Sequence, residues 1–387
     1  MSPTPRSAAD ILSRLVQFDT VSHRSNLPLL DWVETYLAEH GITGRRIYDA
    51  TGKKANLIVT IGPEDTPGYV LSGHVDVVPV SGQNWTVDPF GGAIEDGKVW
   101  GRGTSDMKGF VACVLAAVPK MLAHSLAKPL HLIFSHDEEI GCVGVRSAIA
   151  DLDQWPVKPL GCFVGEPTNM AVILGHKGKR AERVHFTGLS AHSSLAPTAV
   201  NAVEYAARLA VFIADLGRNL AEGTAQDPLY DVTHTTAHVG VLNGGRQVNI
   251  VPDTAYLDFE FRTIGSDNTA ALVDQVRRYA HDVLEPQMQA VDPDATIRFE
   301  TLSDTPGVDT PPEAPMAALA KSIAQRNDHA KVAFATEGGL FQSIGIPTVI
   351  LGPGDIDRAH KADEFITLRE LDSCMAALSN LIETCRT

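Results

Sequence analysis

Hydrophobic positions in the first half of the chain alternate between helical and strand spacing. Apolar residues recur every three or four positions within residues 11–16, 29–37 and 108–123, which predicts three helices. Short apolar runs predict strands at residues 56–61, 69–71, 130–134 and 161–164. Strands interleaved with helices predict an α/β fold with a mostly parallel sheet that helices cover on both faces.

The pattern changes near His176. After a basic, glycine-broken segment, residues 182–302 follow the order strand, helix, two strands, helix, strand. This βαββαβ order is typical of a small open α+β sheet. The first pattern then resumes, with a strand at 348–351 and a terminal helix at 368–384. We therefore predict a catalytic domain formed by residues 1–179 and 306–387, interrupted by an inserted domain at 180–305. Residues 304–315 are rich in Pro, Asp and Thr and are predicted to be a linker.

Composition and charge narrow the possible functions. The chain has 387 residues, of which 44% are apolar, so it can bury a large core in two domains. Its net charge of −15 argues against a nucleic-acid partner. No stretch approaches the roughly 18 apolar residues of a membrane helix, and residues 1–18 lack a signal-like apolar region. Five widely spaced cysteines, without a CxxC pair, predict free thiols. We expect a soluble, cytoplasmic protein without a membrane partner.

Residues of the metal-binding type stand where predicted strands end or in glycine-rich turns. They are His74, Asp76, Asp106, Glu139, Glu166 and His360. Taken singly, each could be a helix cap or a solvated surface residue. Taken together they favour one site, because ligand sites form at the carboxyl ends of strands in open α/β sheets. A mixed nitrogen and oxygen set without cysteine suits hydrolytic Zn²⁺, for which Co²⁺ or Mn²⁺ can substitute.

The motifs around these residues resemble a known family. The runs SGHVDVVP, GRGTSDMKGF, DEEIG, GEPT and AHKADE are similar, in order and separation, to those of the di-zinc deacylases and carboxypeptidases, over nearly the whole chain. The resemblance implies two Zn²⁺ per subunit, one held by His74 and Glu166, the other by Glu139 and His360, with Asp106 bridging them. It also implies that Asp76 orients His74, that Glu138 is the general base, and that the Asp106–Met107 peptide is cis.

The same resemblance implies roles for the inserted domain as a lid and dimerisation domain. His192, in the run GLSAHSS, would reach the active site of the partner subunit in a homodimer and donate to the oxyanion. Asn249 and Arg262 would contact substrate, and Arg262 could pair with an α-carboxylate. Without the resemblance, His192 is an ordinary turn residue and Arg262 a solvated strand end.

Three further sequence runs bear on which substrate the protein hydrolyses. Within the family, the runs FDTVSHRSNL, HVGVLNGGRQVNIVP and TEGGLF most resemble those of acetylornithine deacetylases. This implies hydrolysis of N2-acetyl-L-ornithine to ornithine and acetate, a step of arginine biosynthesis. Thr336 and Glu337 would line the substrate pocket, Glu337 facing a cationic side chain; alternatively Glu337 caps the following turn. A succinyl-diaminopimelate desuccinylase or a general N-acyl-amino-acid amidohydrolase would keep the same metal site. A non-enzymatic scaffold would require a lost ligand or base, and none is missing.

Overall fold

A computed structural model describes residues 6–386 of the chain. These residues form two compact units. The first unit comprises the described residues up to Gly175, together with Val308–Lys331 and the residues from Thr336 onward. The second unit comprises His176–Gly307 and Val332–Ala335. The assignment of the second unit as a lid and dimerisation domain stays a prediction.

Strands of both units are numbered here in chain order. They are β1 (Arg45–Tyr48), β2 (Ala55–Ile61), β3 (Tyr69–His74), β4 (Ile94–Glu95), β5 (Lys98–Trp100), β6 (Leu130–Ser135), β7 (Gly161–Val164), β8 (Ile173–His176), β9 (Gly178–Thr187), β10 (Thr236–Gly244), β11 (Thr254–Thr263), β12 (Thr296–Thr305), β13 (Val308–Asp309), β14 (Ala330–Val332), β15 (Thr348–Ile350) and β16 (Phe365–Thr367).

The α-helices are α1 (Ala8–Val16), α2 (Leu27–Glu39), α3 (Gly109–Leu122), α4 (Val145–Leu152), α5 (Ala202–Glu222), α6 (Thr269–Arg278), α7 (Glu285–Gln289), α8 (Pro315–Ala324), α9 (Gly338–Ser343) and α10 (Leu368–Thr384). Segments of other helical type lie at Thr104–Lys108 and Tyr279–Leu284, which are π-helical, and at Ser193–Thr198 and Ile356–Arg358, which are 3-10 helical.

The main sheet of the first unit has the strand order β1-β2-β6-β3-β7-β15-β8-β13, and β14 pairs with β8. Its four central strands, β6, β3, β7 and β15, run parallel. Antiparallel pairs β1–β2, β2–β6 and β15–β8 flank them. Every residue of β3, β6 and β7 is buried, which explains why these strands read as continuous apolar runs. The prediction of a mostly parallel central sheet is confirmed.

Helices of the first unit bury their apolar faces in one core. Ile11, Leu12 and Leu15 of α1 are fully buried there, and α3 is buried along nearly its whole length. Reciprocal capping boxes start α1 at Ser7 and α10 at Thr367, where side chain and backbone satisfy each other's hydrogen bonds. The helix α3 follows directly on the segment that carries Asp106, so its packing fixes that segment against the sheet.

The second unit has an antiparallel sheet of order β10-β11-β9-β12. Alternate residues of β11, including Leu257, Phe259 and Phe261, are buried in a core shared with α5 and α6. The element order β9, α5, β10, β11, α6, β12 is the predicted βαββαβ. The second predicted helix is α-helical only up to Arg278, where α6 ends, and continues as the π-helical segment Tyr279–Leu284.

The structure also tests the predicted linker and the predicted free cysteines. Residues 304–315 are not only linker, since β12 extends to Thr305 and β13 occupies Val308–Asp309. The five cysteines are free and buried, as predicted. Among the helices of residues 6–386, none combines the length and apolarity needed to cross a bilayer.

Candidate metal centre

Three neighbouring parallel strands bring acids and an imidazole to one edge of the main sheet. β3 ends at His74, the loop after β6 carries Glu138 and Glu139, and Glu166 follows β7. Because β6, β3 and β7 are parallel neighbours, their carboxyl ends lie at the same edge. His74 and Glu166 are buried. The sheet therefore gathers residues that lie far apart in sequence.

Two connecting segments complete the cluster. Asp106 lies in the π-helical segment before α3, and the Asp106–Met107 peptide is cis, as the resemblance implied. His360 lies between β15 and β16 with a left-handed backbone (φ 60°), and 54% of its side chain is exposed. Both segments belong to the first unit.

The side chains converge around Asp106. Its Oδ1 atom lies 3.1 Å from Nε2 of His74, and its Oδ2 atom lies 3.1 Å from Nε2 of His360. Nε2 of His74 is also 3.9 Å from Oε1 of Glu166, and Nε2 of His360 is 3.0 Å from Oε2 of Glu139. Each carboxylate oxygen of Asp106 thus faces a different histidine, the arrangement that a bridging ligand requires.

Burial and mutual repulsion shape the protonation of the cluster. Burial raises the pKa of Glu166 well above its usual range and also raises that of Glu139, and the nearby Asp106 raises both further. Burial would also raise the pKa of Asp106, but hydrogen bonds with His360 and His74 hold it below its ordinary value. Hydrogen bonds with Asp106 and Glu139 raise the pKa of His360 to about 10.

This donor set fits divalent cations. Donor atoms of His74, Asp106 and Glu139 lie within 4.8 Å of one another, and so do those of His74, Glu138 and Glu166. Buried acids are costly unless positive charge offsets them, and two cations would offset this set. Imidazole and carboxylate without thiolate are the donors that hydrolytic zinc sites use.

Asp76 contacts both His74 and the Glu138–Glu139 turn, whereas the sequence predicted only a contact with His74. Nδ1 of His74 lies 2.9 Å from the backbone oxygen of Asp76, but 3.5 Å from its carboxylate. The carboxylate instead accepts the backbone N–H groups of Glu138 (3.1 Å) and Glu139 (3.4 Å) and the hydroxyl of Ser22 (2.7 Å). Asp76 therefore orients His74 mainly through its main chain and holds the Glu138–Glu139 turn through its side chain.

Glu138 stands beside the cluster as the expected base. Burial raises its pKa to about 8, and the charges of Glu139 and Asp106 add to this effect while His74 opposes it. The thiol of Cys142 donates to its Oε1 atom at 3.3 Å. A carboxylate whose pKa lies near neutrality can both accept and return a proton, which is what general acid–base catalysis needs.

Glu337 makes contacts that differ from both expected ones. It is fully buried, and its carboxylate accepts the hydroxyls of Ser72 on β3 and Ser135 on β6, the latter at 2.7 Å. It stands at the N-cap of α9, but its side chain makes no capping hydrogen bond. Its neighbour Thr336 is also buried, and its hydroxyl accepts the N–H of Gly338. Glu337 thus links β3 and β6 just before His74 and the Glu138–Glu139 turn.

The remaining predicted residues lie in the second unit. His192 is exposed, and its Nδ1 atom lies 2.8 Å from the Ser194 hydroxyl. The backbone oxygen of Asn249 accepts the N–H of Ser193, so the segments that carry His192 and Asn249 are neighbours. Arg262 is partly buried on β11 and donates to Glu260 at 3.0 Å. Their proposed contacts with substrate stay predictions.

Sequence reasoning missed two buried residues that support the centre. Arg102 and Glu364 form a fully buried ion pair at 2.6 Å. Both stand inside motifs quoted above, GRGTSDMKGF and AHKADE. In each motif this charged residue had no proposed role, which could have drawn attention to it. Their pairing could not be predicted, because the two residues are distant in sequence and meet only in the folded chain.

Comparison with known proteins agrees with this geometry. Residues 70–384 match Peptidase family M20/M25/M40. The chain is 30% identical to an acetylornithine deacetylase of Proteus mirabilis, over 94% of this chain and 92% of the relative. An acetylornithine deacetylase of Edwardsiella ictaluri is also 30% identical, with the same coverage. The chain therefore belongs to the M20/M25/M40 peptidase family, and it is a metal-dependent hydrolase of the amidohydrolase type.

Solved structures share the fold at lower identity. Aminopeptidase PepT from Bacillus cereus superposes with a TM-score of 0.73 at 20% identity, covering 99% of both chains. The YXEP protein of Bacillus subtilis, described as a dinuclear metal-binding peptidase of the M20 family, gives 0.67 at 15% identity and covers 98% of this chain and 97% of its own. These likenesses establish the fold.

Proposed function

We propose that this chain is an N-acyl-amino-acid deacylase with two divalent ions, whose preferred substrate is N2-acetyl-L-ornithine. The observation that carries the hydrolytic part is the convergence of two histidines and two further acids around Asp106, with Glu138 alongside. The substrate preference is supported by the relatives named acetylornithine deacetylase, which match over most of the chain. Roles in arginine biosynthesis and in the cytoplasm are predictions that follow from this substrate.

The proposed ligands are His74 and Glu166 for one ion, Glu139 and His360 for the other, and Asp106 for both. Zn²⁺ is the expected metal, with Co²⁺ or Mn²⁺ as substitutes. A pair of such ions supplies a hydroxide equivalent at neutral pH and polarises the amide carbonyl. The remaining chemistry falls to the side chains around them.

Glu138 would take the proton from the attacking water and deliver it to the leaving amine nitrogen. A carboxylate beside the proposed ion pair is placed to accept a proton and to return it. Asp76 would hold Glu138 in place through the Glu138 N–H group. As the amide carbonyl becomes tetrahedral, His192 of a partner subunit would donate to the oxygen that gains charge. Arg262 and Asn249 would bind the amino-acid part, and this arrangement requires a homodimer.

A substrate panel with metal-reconstituted protein tests the proposal. We expect the highest kcat/KM for N2-acetyl-L-ornithine, compared with N-succinyl-diaminopimelate and N-acetyl-L-methionine. N2-acetyl-L-norvaline, which lacks the terminal amine, is the matched control and should be a poorer substrate if the cationic side chain is recognised. Faster turnover of either rival substrate would overturn the preference, and inactivity on all four after addition of Zn²⁺ or Co²⁺ would overturn the enzymatic assignment.

A further inference from the structure

The carboxylate of Glu364 collects four hydrogen bonds next to Asp106. Its Oε1 atom accepts the backbone N–H groups of Ser105 (2.8 Å) and Asp106 (3.1 Å). Its Oε2 atom accepts the N–H of Gly103 (3.1 Å) and Nη1 of Arg102 (2.6 Å). Glu364 is 1% exposed. Both oxygens are saturated, so this acid acts on the backbone that carries Asp106.

Arg102 extends these contacts toward His360. Its Nη1 atom also donates to the backbone oxygen of Lys361 at 3.2 Å, and its Nη2 atom donates to Oε1 of Gln83 at 2.6 Å. Nε2 of Gln83 in turn donates to the backbone oxygen of His360 at 2.7 Å. A continuous chain of hydrogen bonds therefore runs from Asp106 through Glu364, Arg102 and Gln83 to His360.

His360 depends on this network more than the other proposed ligands do. More than half of its side chain is exposed, whereas His74 and Glu166 are buried and packed at the ends of strands. Its position is therefore set mainly by the hydrogen bonds of its own loop. The backbone N–H of Gly101 adds a further tie to this loop, donating to the backbone oxygen of Glu364 at 2.9 Å.

We propose that Glu364 is a positioning residue that fixes Asp106 and His360 relative to each other, and so controls binding of the ion held by Asp106, Glu139 and His360. This inference rests on the proposed ligand set. The ion held by His74, Glu166 and Asp106 should depend on Glu364 less, because β3 and β7 position two of its three ligands. A purely stabilising ion pair would show no such difference between the two ions.

The test is metal titration of full-length Glu364→Gln against a competing chelator, with Zn²⁺ and Co²⁺ as probes. The amide nitrogen of Gln cannot accept the hydrogen bonds that one carboxylate oxygen accepts now. We expect one of two ions to bind about 10- to 100-fold more weakly, with the other within about threefold of wild type. Wild-type affinity for both ions, or equal weakening of both, would overturn the proposal.

Two further variants keep the result interpretable. Glu182→Gln is the matched control, because Glu182 is a fully buried acid paired with Arg180 in the second unit; it should lose stability but keep both metal affinities. If Glu364→Gln does not fold, Gln83→Ala removes the contact with His360 at a partly exposed position and should weaken the same single ion. Unchanged binding in Gln83→Ala would then overturn the proposal.

The proposed deacylase function and the positioning role of Glu364 can be overturned independently of each other. Wild-type protein that binds two ions but cleaves none of the panel substrates would remove the proposed function, and a selective loss in Glu364→Gln would still stand. Active wild-type protein with an unaltered Glu364→Gln titration would remove only the positioning role.

Discussion

The Oδ1 atom of Asp76 accepts the backbone N–H of Glu138 at 3.1 Å, and this contact joins the end of β3 to the loop that carries the proposed base. Oδ2 of the same carboxylate accepts the Ser22 hydroxyl and the N–H of Glu139. Three donors therefore meet one buried carboxylate. We expect catalysis to depend on its acceptor capacity.

Asp76→Asn should lower kcat by about 10- to 100-fold, because an amide nitrogen cannot accept the N–H of Glu138 or Glu139. Steady-state kinetics with parallel metal analysis provides the measurement. Ser22→Ala removes one donor but leaves the carboxylate, so its kcat should fall far less. Equal losses in the two variants would contradict the proposed role of Asp76.

Glu138→Gln should retain both ions and lose most turnover, on the order of 10²- to 10⁴-fold in kcat, because an amide cannot shuttle a proton. Metal content and kcat are measured on the same preparation. Glu64→Gln, at an exposed acid of the first unit, should behave as wild type. Retained activity in Glu138→Gln would exclude this residue as the base.

Removal of metal should destabilise the protein, because the buried acids around Asp106 then lack positive charge to offset them. A ligand present at about 1,000 times its Kd stabilises by about 4 kcal/mol, so saturating Zn²⁺ should raise the melting temperature of chelator-treated protein markedly. Thermal unfolding before and after Zn²⁺ addition measures this shift. His360→Ala should gain less from added Zn²⁺, and an equal gain would argue against ligation by His360.

Gly165→Ala should destabilise the first unit by about 1–3 kcal/mol through overpacking. A Cβ atom at Gly165 would lie 1.9 Å from Cγ of Phe110, and the strain would reach the adjacent Glu166. Denaturant unfolding measures the loss. Gly240→Ala is the control, since a Cβ atom there would lie 3.7 Å from Nε2 of His238. Combination with Phe110→Ala should cost less than the sum of the single changes; simple additivity would contradict this origin.

His131 should make stability depend on pH between about 6.5 and 4. Burial lowers its pKa from 6.5 to about 4, so in that interval the unfolded chain binds a proton that the folded chain does not. Stability should therefore fall as pH decreases, by about 3 kcal/mol from this group. His131→Gln should show a shallower decline in free energy of unfolding. The difference at pH 8, where the histidine is neutral, reports packing and the hydrogen bond with Thr60. Parallel curves would refute the role of His131.

Much of the first unit could be predicted because its central strands are buried on both faces. Such strands appear as uninterrupted apolar runs, and His74 at the end of β3 and the acids that follow β6 and β7 are proposed ligands. Other strands have weaker hydrophobic patterns. β1 has no buried residue, and β4 and β16 are only two and three residues long. The antiparallel pairing of β2 with β6 arises from contacts between distant segments, which apolar spacing does not specify.

At the site, motif positions identified which residues would meet, but not which atoms. Asp76 was expected to orient His74, and its backbone oxygen, at 2.9 Å from Nδ1, makes a shorter contact than its carboxylate at 3.5 Å. Glu364 and Arg102 acquire their partners only when residues 101–106 and 360–364 come together. Neither contact follows from spacing along the chain.

The insertion of β15 between β7 and β8 has a consequence for biosynthesis of the chain. A nascent polypeptide released from the ribosome through residue 335 contains His74, Asp106, Glu139 and Glu166, yet its main sheet still lacks an interior strand and its cluster still lacks His360. The second unit, whose strands β9–β12 all precede that point, has its sheet complete by then. The order of translation therefore makes the first unit the last to be finished.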